Sequence, residues 1–355
     1  MTRILLIYTG GTIGMVSDPV TGALKPLDFR ELEAEIPAIK SLGVEIEYHE
    51  GFPPIDSSDV TPAEWTRLAE TIRDNYERFD GFVVLHGTDT MAYTASALSF
   101  MLENLAKPVV FTGSQIPLGV LRSDGRENLV TAVEIAAACN EAGRPMAPEV
   151  SIYFQDRLFR AVRATKWSAE QLDAFASENY PPLAEVGVTI HYNLAAIRRP
   201  ENLGSAHRPD KKNTPQNPEP LKISTSLCTD VALIRLFPGM TQKALEAMLA
   251  IDGLKGVVLQ TYGAGNTPTA EWFFAALEGA ISKGITIVNI TQCPSGGVAA
   301  IYESGVRLAG TGVVSGRDMT PEAALAKLMY VLGRDLPSSD TVSELARPIR
   351  GEFSD

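Results

Sequence analysis

Short apolar runs alternate with longer amphipathic stretches along the first half of the chain. RILLIY (3–8), GFVVL (81–85), PVVFT (108–112) and VSIYF (150–154) are rich in β-branched and aromatic residues and read as buried strands. Helical patterns lie between them. Thr61-Pro62-Ala63-Glu64 has the form of a capping box with proline at the first helical position, opening a helix to about Arg78. Thr90 to Leu105 and Asp124 to Asn140 carry apolar residues at three- and four-residue spacing. Strands alternating with helices imply right-handed βαβ units and a mainly parallel sheet. Three strands end in TGGT (9–12), HGTDT (86–90) and TGSQ (112–115), so small hydroxylic residues gather at the carboxyl edge. That is the edge where open α/β sheets bind ligands.

The alternation stops at 200–220, which holds five prolines and almost no apolar residues, and reads as a linker or exposed loop. It resumes with VALIRLF (231–237), a helix from Thr241, GVVLQTY (256–262), a helix from Thr267 and ITIVNIT (285–291). Thr320-Pro321-Glu322 opens a last helix reaching about Gly333. The expected fold class is α/β in two domains. A larger N-terminal domain (1–199) has a mainly parallel sheet, and a smaller C-terminal α/β domain (221–355) follows the 200–220 linker.

Composition narrows the function classes. The 355 residues are 45% hydrophobic and 21% charged, an ordinary globular balance. With 31 basic against 43 acidic side chains the net charge is −12, which repels phosphate backbones, so no nucleic-acid partner is expected. No apolar run approaches the ~18 residues of a membrane span, and the five-residue run opening the chain is short for a signal peptide, so no membrane and a cytoplasmic location are expected. Cys139, Cys228 and Cys293 are far apart, with no Cys-x-x-Cys, which speaks for a reducing compartment and against a structural zinc site.

Thr9-Gly10-Gly11-Thr12-Ile13-Gly14 lacks the spacing of a dinucleotide fingerprint and the lysine of a phosphate loop. What remains is a tight turn presenting Thr12, with backbone amides able to cradle an oxyanion. In His86-Gly87-Thr88-Asp89-Thr90 the bland alternative is helix capping by Asp89 or Thr90. His86 reads as a scaffold histidine, with no second histidine at metal-ligand spacing. Asp56-Ser57-Ser58-Asp59 is either a polar turn or a cluster of acceptors and hydroxyls for a charged small molecule. Arg157, Arg160, Arg163 and Lys166 recur every three residues, a spacing most often found on a solvated face; turned inward, Lys166 is a candidate proton acceptor for Thr88. These residues alone describe a hydroxyl-rich, hydrolytic α/β site.

YTGGTIGM (8–15) and LHGTDTMAYTASALSFML (85–102) resemble the two signature segments of the asparaginase family. DSSD (56–59), TGSQIPLGVLRSDGRENL (112–129), RATKW (163–167), DAFAS (173–177) and TYGAGN (261–266) resemble further family segments in the same order. The DSSD form is similar to the cytoplasmic type I enzymes. The resemblance implies an L-asparagine amidohydrolase in which Thr12 is the nucleophile, while Thr88, Asp89 and Lys166 form a second, triad-like catalytic group. It further implies that Asp56, Ser57 and Ser58, with Thr88 and Asp89, bind the substrate. It implies no metal or organic cofactor, and a homo-oligomer, dimer or tetramer. The other readings are an asparaginase-like subunit of a tRNA-dependent amidotransferase and a non-catalytic asparagine sensor.

Two departures stand out. Many relatives carry a lid tyrosine roughly ten residues after the nucleophile, whereas 17–26 here contains none. The segment Met15 to Phe29, rich in Gly, Pro, Asp and Thr, reads as that lid. Type I relatives also bind an effector asparagine in the carboxy-terminal domain. The matching residues are Gln260, Thr261, Tyr262, Thr291, Gln292 and Cys293, with Gln260 where relatives have arginine.

Overall fold

The computed structural model describes residues 1–17, 24–26, 37–49, 51–199, 219–299 and 303–354. These form two compact units, Met1–Ser177 with Pro181–Ile223, and Glu178–Tyr180 with Ser224–Asp355. The expected linker lies, from 200 to 218, outside the described residues. In space the chain changes unit between Ile223 and Ser224, because Lys222–Ile223 pairs with Leu102–Glu103 of the first unit.

In the first unit the elements are β1 (Arg3–Tyr8), β2 (Glu45–His49), α1 (Pro62–Asn75), β3 (Gly81–Leu85), α2 (Met91–Met101), β4 (Val109–Thr112) and α3 (Gly125–Ala137). They continue with β5 (Val150–Phe154), β6 (Arg157–Arg160), β7 (Ala184–Val186) and β8 (Ile190–Tyr192). One eight-stranded sheet has the order β8-β7-β6-β5-β4-β3-β1-β2. From β5 to β2 every pairing is parallel, and β5, β6, β7 and β8 pair antiparallel. The sheet is therefore mainly parallel, as expected, with an antiparallel extension. After β1 the chain moves to one side to form β2, then crosses to the other for β3. The order reverses between β1 and β3, and such a switch point opens a crevice at the carboxyl ends of the two strands.

The helices follow local signals. Thr61 and Glu64 form the reciprocal capping box, and α1 buries Trp65, Leu68, Ala69 and Ile72. Helix α2 is buried at ten of its eleven positions, as a helix apolar all round must be. It ends at Met101, short of Leu105, because the next two residues pair as a strand.

The three-residue basic spacing does not make a solvated face. Arg157 is exposed on β6, whereas Arg160 and Arg163 are buried. Arg160 donates to Glu149 Oε2 at 2.7 Å and to Ala196 O at 2.8 Å. Strand β6 gives way to a tight turn at Ala161–Arg163, so a period of three is not conserved in direction.

The second unit holds a parallel sheet in the order β9 (Val231–Arg235), β10 (Gly256–Thr261), β11 (Thr286–Thr291), β12 (Val314–Ser315). Its helices are α4 (Gln242–Leu249), α5 (Glu271–Ser282), α6 (Glu303–Gly310), α7 (Pro321–Leu332) and α8 (Ser338–Ala346). Leu245, Val257, Leu259, Phe273, Phe274 and Ile287 meet in its core. Helix α5 starts at Glu271 rather than after Thr267, whose hydroxyl donates to Pro268 O instead of capping. The terminal segment is anchored to α7 by a fully buried ion pair, Lys327 Nζ to Glu352 Oε1 at 2.7 Å. Lys327 also donates to Leu345 O and Arg347 O, and Glu352 accepts from the amides of Ile349 and Arg350.

Candidate active site

Three turns interlock at the switch point, and glycines make this possible. Gly10 and Gly11 have φ of +124° and +89°, left-handed values that suit glycine. A Cβ on Gly10 would stand 2.0 Å from Ile55 O, and one on Gly11 would stand 2.5 Å from Gly87 Cα. A Cβ on Gly87 would meet Ser57 Oγ at 2.5 Å. Backbone thus presses on backbone where 9–12, 86–90 and 55–58 meet. Ile55 N donates to Thr9 O at 3.0 Å, and Thr90 Oγ1 donates to Ser57 O at 2.7 Å. The turns bearing Thr12, Thr88, Asp89, Asp56, Ser57 and Ser58 are brought together.

Thr12 is half-buried and opens a single turn, Thr12–Gly14, closed by Gly14 N donating to Gly11 O. Tyr8 packs beneath it. Its hydroxyl donates to Gly11 O at 3.4 Å and lies where a Cβ on Gly14 would fall. Burial pushes that hydroxyl up to about 12, so it stays protonated at neutral pH. Of the expected lid segment Met15 to Phe29, Met15–Ser17 pairs antiparallel with Leu24–Pro26; residues 18–23 and 27–29 lie outside the described residues.

Lys166 arrives from across the sheet, on a two-stranded ribbon in which Thr165–Lys166 pairs with Phe175–Ala176. Its Nζ donates to Thr88 Oγ1 at 2.8 Å and to Asp89 Oδ1 at 2.6 Å. Helix capping does not occupy this turn. Thr90 stands at the N-cap of α2 without a capping bond, and its hydroxyl goes to Ser57 instead. Thr88 Oγ1 in turn donates to Gln115 Oε1 at 3.3 Å. Gln115 and the carboxylate behind it, Asp124, are absent from the residues singled out by sequence reasoning; the signal available was the TGSQ punctuation after β4.

Asp56 caps the turn Ser57–Asp59, accepting from Ser58 Oγ at 2.7 Å and Ser58 N at 2.9 Å. Those two bonds hold its carboxyl below the usual carboxylate range. Ser57 is buried. His86 is buried, its Nδ1 2.7 Å from Gly87 O, and burial pushes the imidazole down to about 4. It is a neutral scaffold residue that props Gly87.

The six residues matched to an effector site also gather, at the carboxyl edge of the second unit's sheet where β10 and β11 end. Most of their polar atoms are engaged internally. Gln292 Nε2 donates to Leu236 O at 2.7 Å and to Gln260 O at 2.9 Å. Thr261 Oγ1 donates to Asn289 Oδ1, Thr291 Oγ1 donates to Gly263 O, and Cys293 N donates to Thr291 Oγ1. Tyr262 N donates to Asn266 O. Gln260 is buried and Cys293 exposed. Among the described residues no group of three His, Cys, Asp or Glu could hold a metal ion, and no helix is long and apolar enough to cross a membrane.

Comparison with known proteins gives consistent matches. The family models for Asparaginase, N-terminal, and for the Glutaminase/Asparaginase C-terminal domain match residues 3–198 and 230–345. L-asparaginase 1 of Escherichia coli (strain K12) is 42% identical over 359 residues, 99% of this chain and 98% of that protein. The 60 kDa lysophospholipases of mouse and human are also 42% identical over 374 residues, which is 99% of this chain. The chain spans 62% and 61% of their respective lengths. The crystal structure of L-asparaginase I from Vibrio cholerae superposes with a TM-score of 0.85 at 38% identity, covering 99% of each chain.

Proposed function

The chain belongs to the asparaginase family, and from that membership we propose that it hydrolyses L-asparagine to L-aspartate and ammonia. Thr12 Oγ1 attacks the side-chain amide carbon, and backbone amides of the threonine turns hold the oxyanion. The C–N bond breaks as the nitrogen gains a proton, leaving a β-aspartyl ester and ammonia. Water then attacks the ester, releasing aspartate and the threonine hydroxyl. Thr88, Lys166 and Asp89 carry the protons. Free asparagine is a zwitterion, so its pocket needs carboxylates at one end and N–H or O–H donors at the other. Asp56 and Asp89 suit the α-ammonium; Ser57, Ser58 and the Thr88 turn suit the α-carboxylate.

One observation carries this reading. Lys166 Nζ reaches both Thr88 and Asp89 on the turn whose Gly87 abuts Gly11, the residue before Thr12. The resemblance to type I enzymes supports a homotetramer built from close dimers and a cytoplasmic location. The family matches support functional domains at 1–199 and 221–355 joined by 200–220.

The test is ammonia and aspartate release from the purified protein on asparagine, with no tRNA present. Equimolar release of both products is expected. Binding of asparagine in a calorimeter with no ammonia formed would overturn the hydrolase in favour of a sensor. Turnover only on aminoacylated tRNA would assign it to amidotransfer.

A further inference from the structure

The TGSQ turn after β4 carries, in Gln115, a side chain that touches Thr88 at one end and, at the other, the loop of the ribbon that bears Lys166. One end of its amide is 3.3 Å from Thr88 Oγ1, and the other donates to Gln171 O at 3.1 Å. Gln171 lies in the loop joining the two strands of the ribbon that bears Lys166. That loop is compact, because Ser168 Oγ accepts from the amides of Glu170 and Gln171. The backbone of Gln115 is held as well. Its amide and that of Ile116 donate to the buried Asp124 carboxylate at 3.0 and 2.9 Å, and Asn128 Nδ2 donates to Gly113 O at 2.9 Å.

The orientation of this amide is determined by its partners. A backbone carbonyl only accepts, so the nitrogen of Gln115 faces Gln171 and the oxygen faces Thr88. Lys166 Nζ donates to Thr88 Oγ1, and the Thr88 hydroxyl donates in turn to Gln115 Oε1. The 3.3 Å separation exceeds the 2.7–2.8 Å of a good O–H···O bond. A contact of that length is a weak hydrogen bond that biases the direction of the hydroxyl.

We propose that Gln115 is a positioning residue for the second catalytic group. Its Oε1 accepts from the Thr88 hydroxyl and so holds that side chain in place beside Lys166, and its Nε2 ties down the ribbon that delivers the lysine. The assignment rests on the hydrolase reading above. Turnover depends on Gln115, while affinity for substrate does not.

Two substitutions separate the two ends of the amide. Gln115→Met keeps the length and removes donor and acceptor; Gln115→Glu keeps an acceptor and removes the donor. In Gln115→Met, kcat falls by about tenfold or more, with KM within about twofold of the parent. Gln115→Glu falls between the two. Amide hydrogen exchange over 167–174 speeds up in both variants, since both lose the bond to Gln171. Turnover within about twofold of the parent in both variants, or a KM that rises as kcat falls, would overturn the assignment. So would unchanged exchange over 167–174. Gln115→Glu still reports if Gln115→Met fails to fold. A parent protein inactive on asparagine fails the hydrolase reading instead, and the exchange experiment then decides whether the tether exists.

Discussion

Lys166 Nζ lies 2.8 Å from Thr88 Oγ1 although 78 residues separate the two in the chain. The intervening chain makes α2, β4, α3, β5 and β6 before the ribbon returns to the carboxyl end of β3. The same nitrogen is 2.6 Å from Asp89 Oδ1, so one amine serves a hydroxyl and a carboxylate on adjacent residues. Lys166 is mostly shielded from solvent, its side chain 17% exposed, while that of Asp89 is 66% exposed. A hydroxyl, an amine and an accessible carboxylate in one hydrogen-bonded chain are suited to moving a proton.

Thr12→Ala is expected to fold normally and to lose at least about 100-fold in kcat, since alanine cannot form the acyl ester. Circular dichroism and aspartate binding should match the parent. Turnover above a tenth of the parental rate would remove Thr12 from its assigned role.

Thr88→Val and Lys166→Met should each lower kcat by about 10²–10⁴-fold, the usual worth of proton transfer by a placed side chain. Because the two act as a unit, the double variant should be no slower than the slower single one. Additive losses in that cycle would show two independent functions.

His86 should make stability pH-dependent. Its folded value of about 4 lies below the unfolded value of about 6.5, so the unfolded chain binds more protons between those limits. Stability therefore falls as pH drops through that window, by at most about 1.4 kcal/mol per pH unit. His86→Gln lacks this component, so the gap between parent and variant should narrow from pH 7 to pH 4.5. Parallel melting curves across that range would disprove it.

Glu352→Gln should destabilise the protein by about 3–5 kcal/mol, because it leaves Lys327 buried without its counter-charge. Burial alone would raise the Glu352 carboxyl, but the Lys327 ammonium and the amides of Ile349 and Arg350 hold it below the ordinary range. A depressed carboxyl contributes stability above its unfolded value of about 4.3 and loses it as pH falls through the folded value. Urea melts at pH 7 and pH 3.5 should show the difference between parent and variant shrinking in acid; an equal difference at both would contradict it.

Asparagine saturation should be close to hyperbolic. Gln260 offers a neutral amide where type I relatives present a bidentate guanidinium, and Gln292 already spends its N–H groups on two carbonyls. Exchanging a charged for a neutral hydrogen bond weakens effector binding by roughly tenfold, and the coupling shrinks with it. Initial rates over a wide concentration range, beside Gln260→Arg, measure this. A strongly sigmoidal parental curve would show another partner for the effector carboxylate.

What was legible in the sequence was local. The capping box at Thr61, the glycine punctuation after β1 and the apolar runs of β1, β3, β4 and β5 depend on residues adjacent in the chain. Strands β2, β7 and β8 are not legible in the pattern because they are partly exposed and mixed in polarity, and β7 and β8 have only three residues each. The spacing of Arg157, Arg160, Arg163 and Lys166 misled in direction, since a strand, a turn and a second strand divide it.

Residue pattern alone specifies the buried strands β1, β3, β4 and β5 with the helices between them, hence a mainly parallel sheet, and the paired threonine segments specify the family. Which polar groups meet depends on the folded arrangement of these elements. Strand order placed the turns after β1 and β3 on one crevice, and burial separated Arg160 from Arg157. Close packing then committed Gln115, Asp124 and Gln292 to particular partners. Periodicity and capping are written in neighbours three or four residues apart, whereas a hydrogen bond across 78 residues exists only once the sheet has brought its ends together.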